Sequence, residues 1–132
     1  MPYFGEYAIA SPVQHDFEKE EGWWWQIKPV DSGMELEMSK FMLHKRYVTV
    51  DGERQEMPPT WMEIAFREIA LTFGGTNIPK EKDGVEPLLE EGASIAKIEN
   101  MIAKFPQSMT KELWIAIGKA NPGWGPSDPN LL

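Results

Sequence analysis

The chain contains no cysteine, which excludes a disulfide framework, a thiol nucleophile and any thiolate metal site. Histidine is almost as scarce, with only His15 and His44, which lie in unlike contexts. Neither belongs to a His-x-x-x-His pair, and no Glu-x-x-His spacing suits a dinuclear centre. No apolar run approaches the roughly 18 residues needed to span a membrane. The opening MPYFGEYAIASPVQHD lacks the basic n-region and continuous apolar h-region of a secretory signal. Positive charge is also thin: 13 Lys and Arg stand against 21 Asp and Glu, a net charge of −8. The longest basic cluster is His44-Lys45-Arg46, too short to track a phosphate backbone, which argues against nucleic acid. Together these absences point to a cytoplasmic protein whose acidic surface favours solubility and basic protein partners.

What is present suits one domain. A chain of 132 residues, 42% hydrophobic and 26% charged, is long enough for a core and close to the globular average. Residues 1–21 read as an N-terminal arm, either a solvated leader or a docked segment using Tyr3, Phe4, Tyr7, Ile9 and Val13. Residues 22–122 carry the regular patterns of a single globular domain. A Pro/Gly-rich tail, 123–132, cannot form regular structure.

The stretch from Trp23 to Val30 alternates as a strand, sending Trp23, Trp25 and Ile27 to one face. Trp24 then shares the other face with Gln26 and Lys28, either packed beneath another element or exposed as a partner anchor. Ser32-Gly33-Met34-Glu35 has the form of a capping box and opens a helix over 33–44. Met34, Met38, Met42 and Phe41 fall at helical spacing there, as ordinary core or as an adaptable apolar surface. Residues 47–50 and 53–57 flank Asp51-Gly52, a type I′ pair, and predict a hairpin.

Thr60-Trp61-Met62-Glu63 is a second capping box, and the apolar stripe from Trp61 to Phe73 predicts the main core helix, stopped by Gly74-Gly75. Residues 76–92 carry no apolar period and read as a long solvated loop. Helices over 94–105 and from Ser108 or Thr110 to Asn121 complete the chain. The expected fold class is α+β, a short antiparallel sheet and hairpin with about four helices and a mainly helical core.

Catalytic constellations are absent from this pattern. Glu35 with Glu37, and Glu90 with Glu91, point to different sides of a helix. No position is marked as the buried carboxyl that a general acid requires. Gly74-Gly75-Thr76 follows a helix and lacks the lysine of a phosphate loop, and no serine sits in a nucleophile elbow. His44, at a helix end, favours the negative pole of the dipole. The expectation is a protein without enzymatic activity, metal or cofactor.

Three stretches carry a resemblance: GWWWQIKPVDSGMELEMSKF, PPTWMEIAFREIALTFGGTNIP and KELWIAIGKANPGWGP. Their order and texture, over about residues 22–126, resemble the tail assembly chaperones of long-tailed bacteriophages and related phage-tail-like elements. The resemblance implies a non-enzymatic protein of the host cytoplasm. It would coat the tape-measure protein until tail-tube subunits polymerise around it. It also implies contact through surplus aromatics and adaptable methionines, for which Trp24, Met34, Met38, Met42 and Trp124 are the candidates. Self-association as a homo-oligomer is compatible with this role. The competing reading is a small structural virion or tail-completion protein, with the hairpin and arm ordering on assembly.

Overall fold

The computed structural model describes residues 11–128. In chain order the elements are β1 (Val13–Asp16), β2 (Trp24–Ile27), α1 (Ser32–Leu43), β3 (Arg46–Val50), β4 (Glu53–Met57), α2 (Trp61–Leu71), β5 (Phe73–Thr76), α3 (Ile95–Ile102) and α4 (Gln107–Ala120). The fold is α+β. Strands β1, β2 and β5 form an antiparallel sheet in that order, while β3 and β4 form a separate two-stranded ribbon.

The alternation in β2 decides the packing. Trp25 and Ile27 are fully buried, and Trp23 packs at the margin of the same core. Trp25 meets Phe73 and Phe105 edge-on, with ring centroids 4.9 and 6.0 Å away. Helices α2, α3 and α4 supply Ile69, Ile98, Ile102, Leu113 and Ile117 to this core. Trp24 takes the opposite face, is half-buried, and its N–H donates to Asn77 Oδ1 at 2.7 Å.

Residues 13–17 are not a solvated leader. Their register sets His15 opposite Trp25, and Phe17 is buried against the core. The strand itself, Val-Gln-His-Asp, is mostly exposed, so its sequence shows no apolar alternation; backbone pairing holds it. The remainder of the N-terminal arm, residues 1–10, lies outside the described residues.

Local signals act largely where they stand. Thr60 and Glu63 form the reciprocal capping box of α2. Asp51 and Gly52 adopt φ of 51° and 82°, as a type I′ turn requires. Asp31, not Ser32, caps α1, its Oδ1 accepting from Met34 N at 2.9 Å. This frees Glu35 for another task. At α4 neither Ser108 nor Thr110 caps; Pro106 stands at the N-cap without a side-chain bond, and Thr110 is buried.

The main helix stops at Leu71, earlier than its apolar stripe suggests. Thr72 closes it, and Phe73-Gly74-Gly75-Thr76 run on as β5 beside β2. Gly74 suits this because a Cβ there would come within 3.1 Å of Gln26 Cβ, so the adjoining strand fills the space. Loop 76–92 is anchored at both ends by buried Ile78 and Leu89, with an isolated bridge between Pro79 and Pro87. Among the described residues no helix is long and apolar enough to cross a membrane.

Candidate functional site

A groove of about 790 Å³ lies between the β1–β2 connection, α4, and the 78–88 segment. Phe17 and Trp23 form one wall, their rings edge-to-face at 6.4 Å. The Phe17 N–H donates to Trp23 O at 3.1 Å, which closes this connection into a firm rim. Leu88 and Phe105 also line it, as do Met109 and Ala116, two turns apart on α4. Charges of both signs surround this apolar strip: Glu18, Lys19, Lys111 and Lys119.

One polar tie fixes the groove's end. His15 Nε2 and Glu112 Oε2 lie 2.5 Å apart, and the Glu18 N–H donates to the same oxygen at 3.3 Å. Glu112 thereby fastens the N-terminal strand to α4. His15 also packs edge-on against Phe17, with ring centroids 5.3 Å apart. With its ring nitrogen and its ring edge both engaged, His15 positions the wall.

A second polar cluster joins α1 and α2 to α4 and the segment after it. Glu68 is a buried carboxylate whose Oε1 accepts from Trp114 Nε1 and from Gly125 N, each at 2.8 Å. Glu35 Oε1 accepts from Trp124 Nε1 at 2.9 Å. These two acidic residues hold the segment after α4 against the domain. Burial pushes the Glu68 carboxyl above its ordinary value of 4.5; hydrogen bonds from Gly125 and Trp114 oppose the rise, and Glu35 adds to it. Sequence patterning gives no mark of this buried carboxyl, since Glu68 sits between apolar positions of α2 like any helix-surface glutamate.

The sign of its pH dependence follows. Between 4.5 and the raised folded value, the folded state retains a proton that the unfolded chain has released. The corresponding stability is therefore full below the unfolded pKa and is lost as pH rises through the folded one. Glu68→Gln keeps a neutral oxygen acceptor and removes the titration. In urea titrations, the stability difference, wild type minus Glu68→Gln, should be most favourable to wild type near about pH 4 and decline towards about pH 7. A difference that is flat with pH would overturn this assignment.

The five sequence candidates do not form one site. Met38 and Trp124, each 7% exposed, are buried in the hydrophobic core. Met34 is half-buried against the same core. Met42 is 45% exposed and joins Met38 and Trp124 around a small cleft beside Glu35 and Glu68. Trp24 is outside that cleft. The groove residues Phe17, Trp23, Phe105 and Met109 are the ones that sequence reasoning placed in an arm, a core face or nowhere. Met109 and Ala116 fall on the same apolar stripe of α4 as Leu113 and Ile117, so helical spacing does not separate groove lining from core. Among the described residues no group of three or more His, Asp or Glu side chains gathers as a metal site. No family model, curated protein or solved structure matches this chain.

Proposed function

We propose that this chain is a non-enzymatic tail assembly chaperone that holds the tape-measure protein before tail-tube subunits polymerise around it. The observation that carries the reading is the groove: an open apolar trough walled by Phe17, Trp23, Leu88 and Phe105 and edged by both signs of charge. An amphipathic helix laid along it would bury its apolar face on aromatic and methionine side chains and meet the rim with polar flanks. A tape-measure protein, long and helical with exposed apolar surface, offers such segments repeatedly. The acidic balance of the chain would keep the loaded complex dispersed. The resemblance over residues 22–126 supports the same role.

Co-expression with the long helical protein encoded nearby tests it. Wild type should hold that protein in the soluble fraction and co-purify with it. Ala116→Glu places a charge in the groove lining, and should weaken retention roughly tenfold or more without unfolding the domain. Trp24→Ala and Met42→Ala, on surfaces away from the groove, should have smaller effects. Retention that ignores Ala116→Glu would remove the groove from the account; no retention by wild type would remove the chaperone.

One observation favours a structural role instead. The β3–β4 ribbon projects Tyr47, Val48, Val50 and Met57 into solvent, as an element that orders on assembly would. Particle composition separates the two readings: a chaperone is absent from finished tails, whereas a structural component remains in them.

A further inference from the structure

Beyond that role, we propose that the free edge of β4 pairs with the same edge of a second copy, joining two ribbons into one four-stranded antiparallel sheet. The ribbon contains only β3 and β4, so among the described residues both of its outer edges are unpaired. Every residue of β4 is exposed.

The register is set by backbone geometry. Asp51-Gly52 is a two-residue turn, which makes Val50 and Glu53 a hydrogen-bonded pair. Bonding then alternates along the ladder, so Gln55 opposite Val48 and Met57 opposite Arg46 also turn their N–H and C=O inward. The backbone groups of Arg54 and Glu56 are left directed at the free edge. A two-fold axis through Gln55 brings Arg54 opposite Glu56 of the second copy, and Glu56 opposite its Arg54. Four main-chain hydrogen bonds form, and Pro58, with no N–H, ends the ladder.

Charge selects this register over its neighbours. Moving the axis by one residue sets arginine against arginine at position 54, or glutamate against glutamate at 56. Charged edge strands ordinarily resist pairing. Here the signs alternate so that one antiparallel arrangement is complementary and the adjacent ones are repulsive. Arg54 is already held on this face of the ribbon, its guanidinium carbon 4.1 Å from the centroid of Tyr47. On the other face, Gln55 meets Gln55 of the second copy and Met57 meets its Glu53, so no like charges face each other there. A contact of this extent is smaller than a standard stable interface, so the dimer is a weak, concentration-dependent one.

Sedimentation velocity of the purified protein alone, over roughly 1–500 µM, reads it directly. Wild type should move from a 15.1 kDa monomer towards twice that mass as concentration rises. Arg54→Glu and Glu56→Arg, each introducing two like-charge contacts, should each raise the dissociation constant roughly tenfold or more. The double swap Arg54→Glu/Glu56→Arg restores complementarity and should return it to near the wild-type value. Both positions are exposed, and circular dichroism verifies that each variant is folded. A wild type that stays monomeric overturns the proposal, as does a dimer indifferent to the single reversals or unrescued by the swap. None of these outcomes bears on whether the groove holds a helix.

Discussion

Trp25→Ala should lower the unfolding free energy by about 3–5 kcal/mol, the cost typical of deleting a large buried aromatic. Trp25 has no exposed surface, is the centre of the sheet's core face, and touches Phe73 and Phe105 edge-on. Removing it leaves a cavity between β2, β5 and the end of α3 that rigid neighbours cannot close. Against a total of about 5–15 kcal/mol for a domain of this kind, such a loss populates the unfolded state heavily. The adjacent Trp24→Ala, on the half-buried opposite face, should cost about 1 kcal/mol. Trp25→Phe is the informative third variant. The Trp25 Nε1 has no hydrogen-bond partner among the described residues, so phenylalanine retains much of the ring contact while deleting an unsatisfied donor. Its penalty should be well under half that of alanine. Urea denaturation with an unchanged slope checks all three; equal costs for Trp24→Ala and Trp25→Ala would contradict the facing of β2.

Gly125→Ala should destabilise by about 3 kcal/mol, combining a left-handed backbone cost with overpacking. Gly125 has φ of 78°, and a Cβ on it would lie 2.6 Å from Gly118 Cα and 2.9 Å from Trp114 O. Those are backbone atoms of α4, which cannot yield as a flexible side chain would. Displacing Gly125 also breaks its N–H bond to the buried Glu68 carboxylate. The reciprocal change, Gly118→Ala, makes the mechanism plain. In a helix interior this substitution ordinarily stabilises by about 1 kcal/mol. Here the new methyl would meet Trp124 O at 2.8 Å, so the sign should reverse. Thermal or urea melts of both single variants and of the double give the check. The double should be less harmful than the sum, because one displacement of the tail relieves both clashes.

Much of this fold is legible from short-range chemistry. The Thr60/Glu63 box, the Asp51-Gly52 turn and the Trp23–Ile27 alternation are each decided within a few residues, and each stands as read. What escapes is fixed by contacts distant in sequence. Gly74-Gly75 carries every mark of a helix stop, yet becomes a strand because Gln26 and Lys28 occupy the space beside it. Val13–Asp16 lacks apolar alternation and is a strand only because β2 offers an edge. Asp31 and Ser32 are adjacent capping residues, and local pattern alone does not choose between them. Trp124 lies in irregular chain, so no period predicts burial; its place depends on Glu35 and on the bare backbone at Gly118. The groove was hidden for the same reason. Its walls come from 17–23, 78–88 and 105–116, and only the folded chain sets them side by side.

The order of the sheet, β1-β2-β5, has a consequence for how the chain is made. β2 leaves the ribosome with β1 already present, but its other neighbour is not synthesised until residue 76 and its helical cover not until about residue 120. At about 5–20 residues per second, the tryptophan-rich strand spends roughly 5–20 s with one edge or one face uncovered. Trp25, which secures the finished core, is therefore uncovered beside Trp23 and Trp24 while the chain is being made. Slower translation past Ile27 would lengthen that exposure, and growth at raised temperature would make it more damaging.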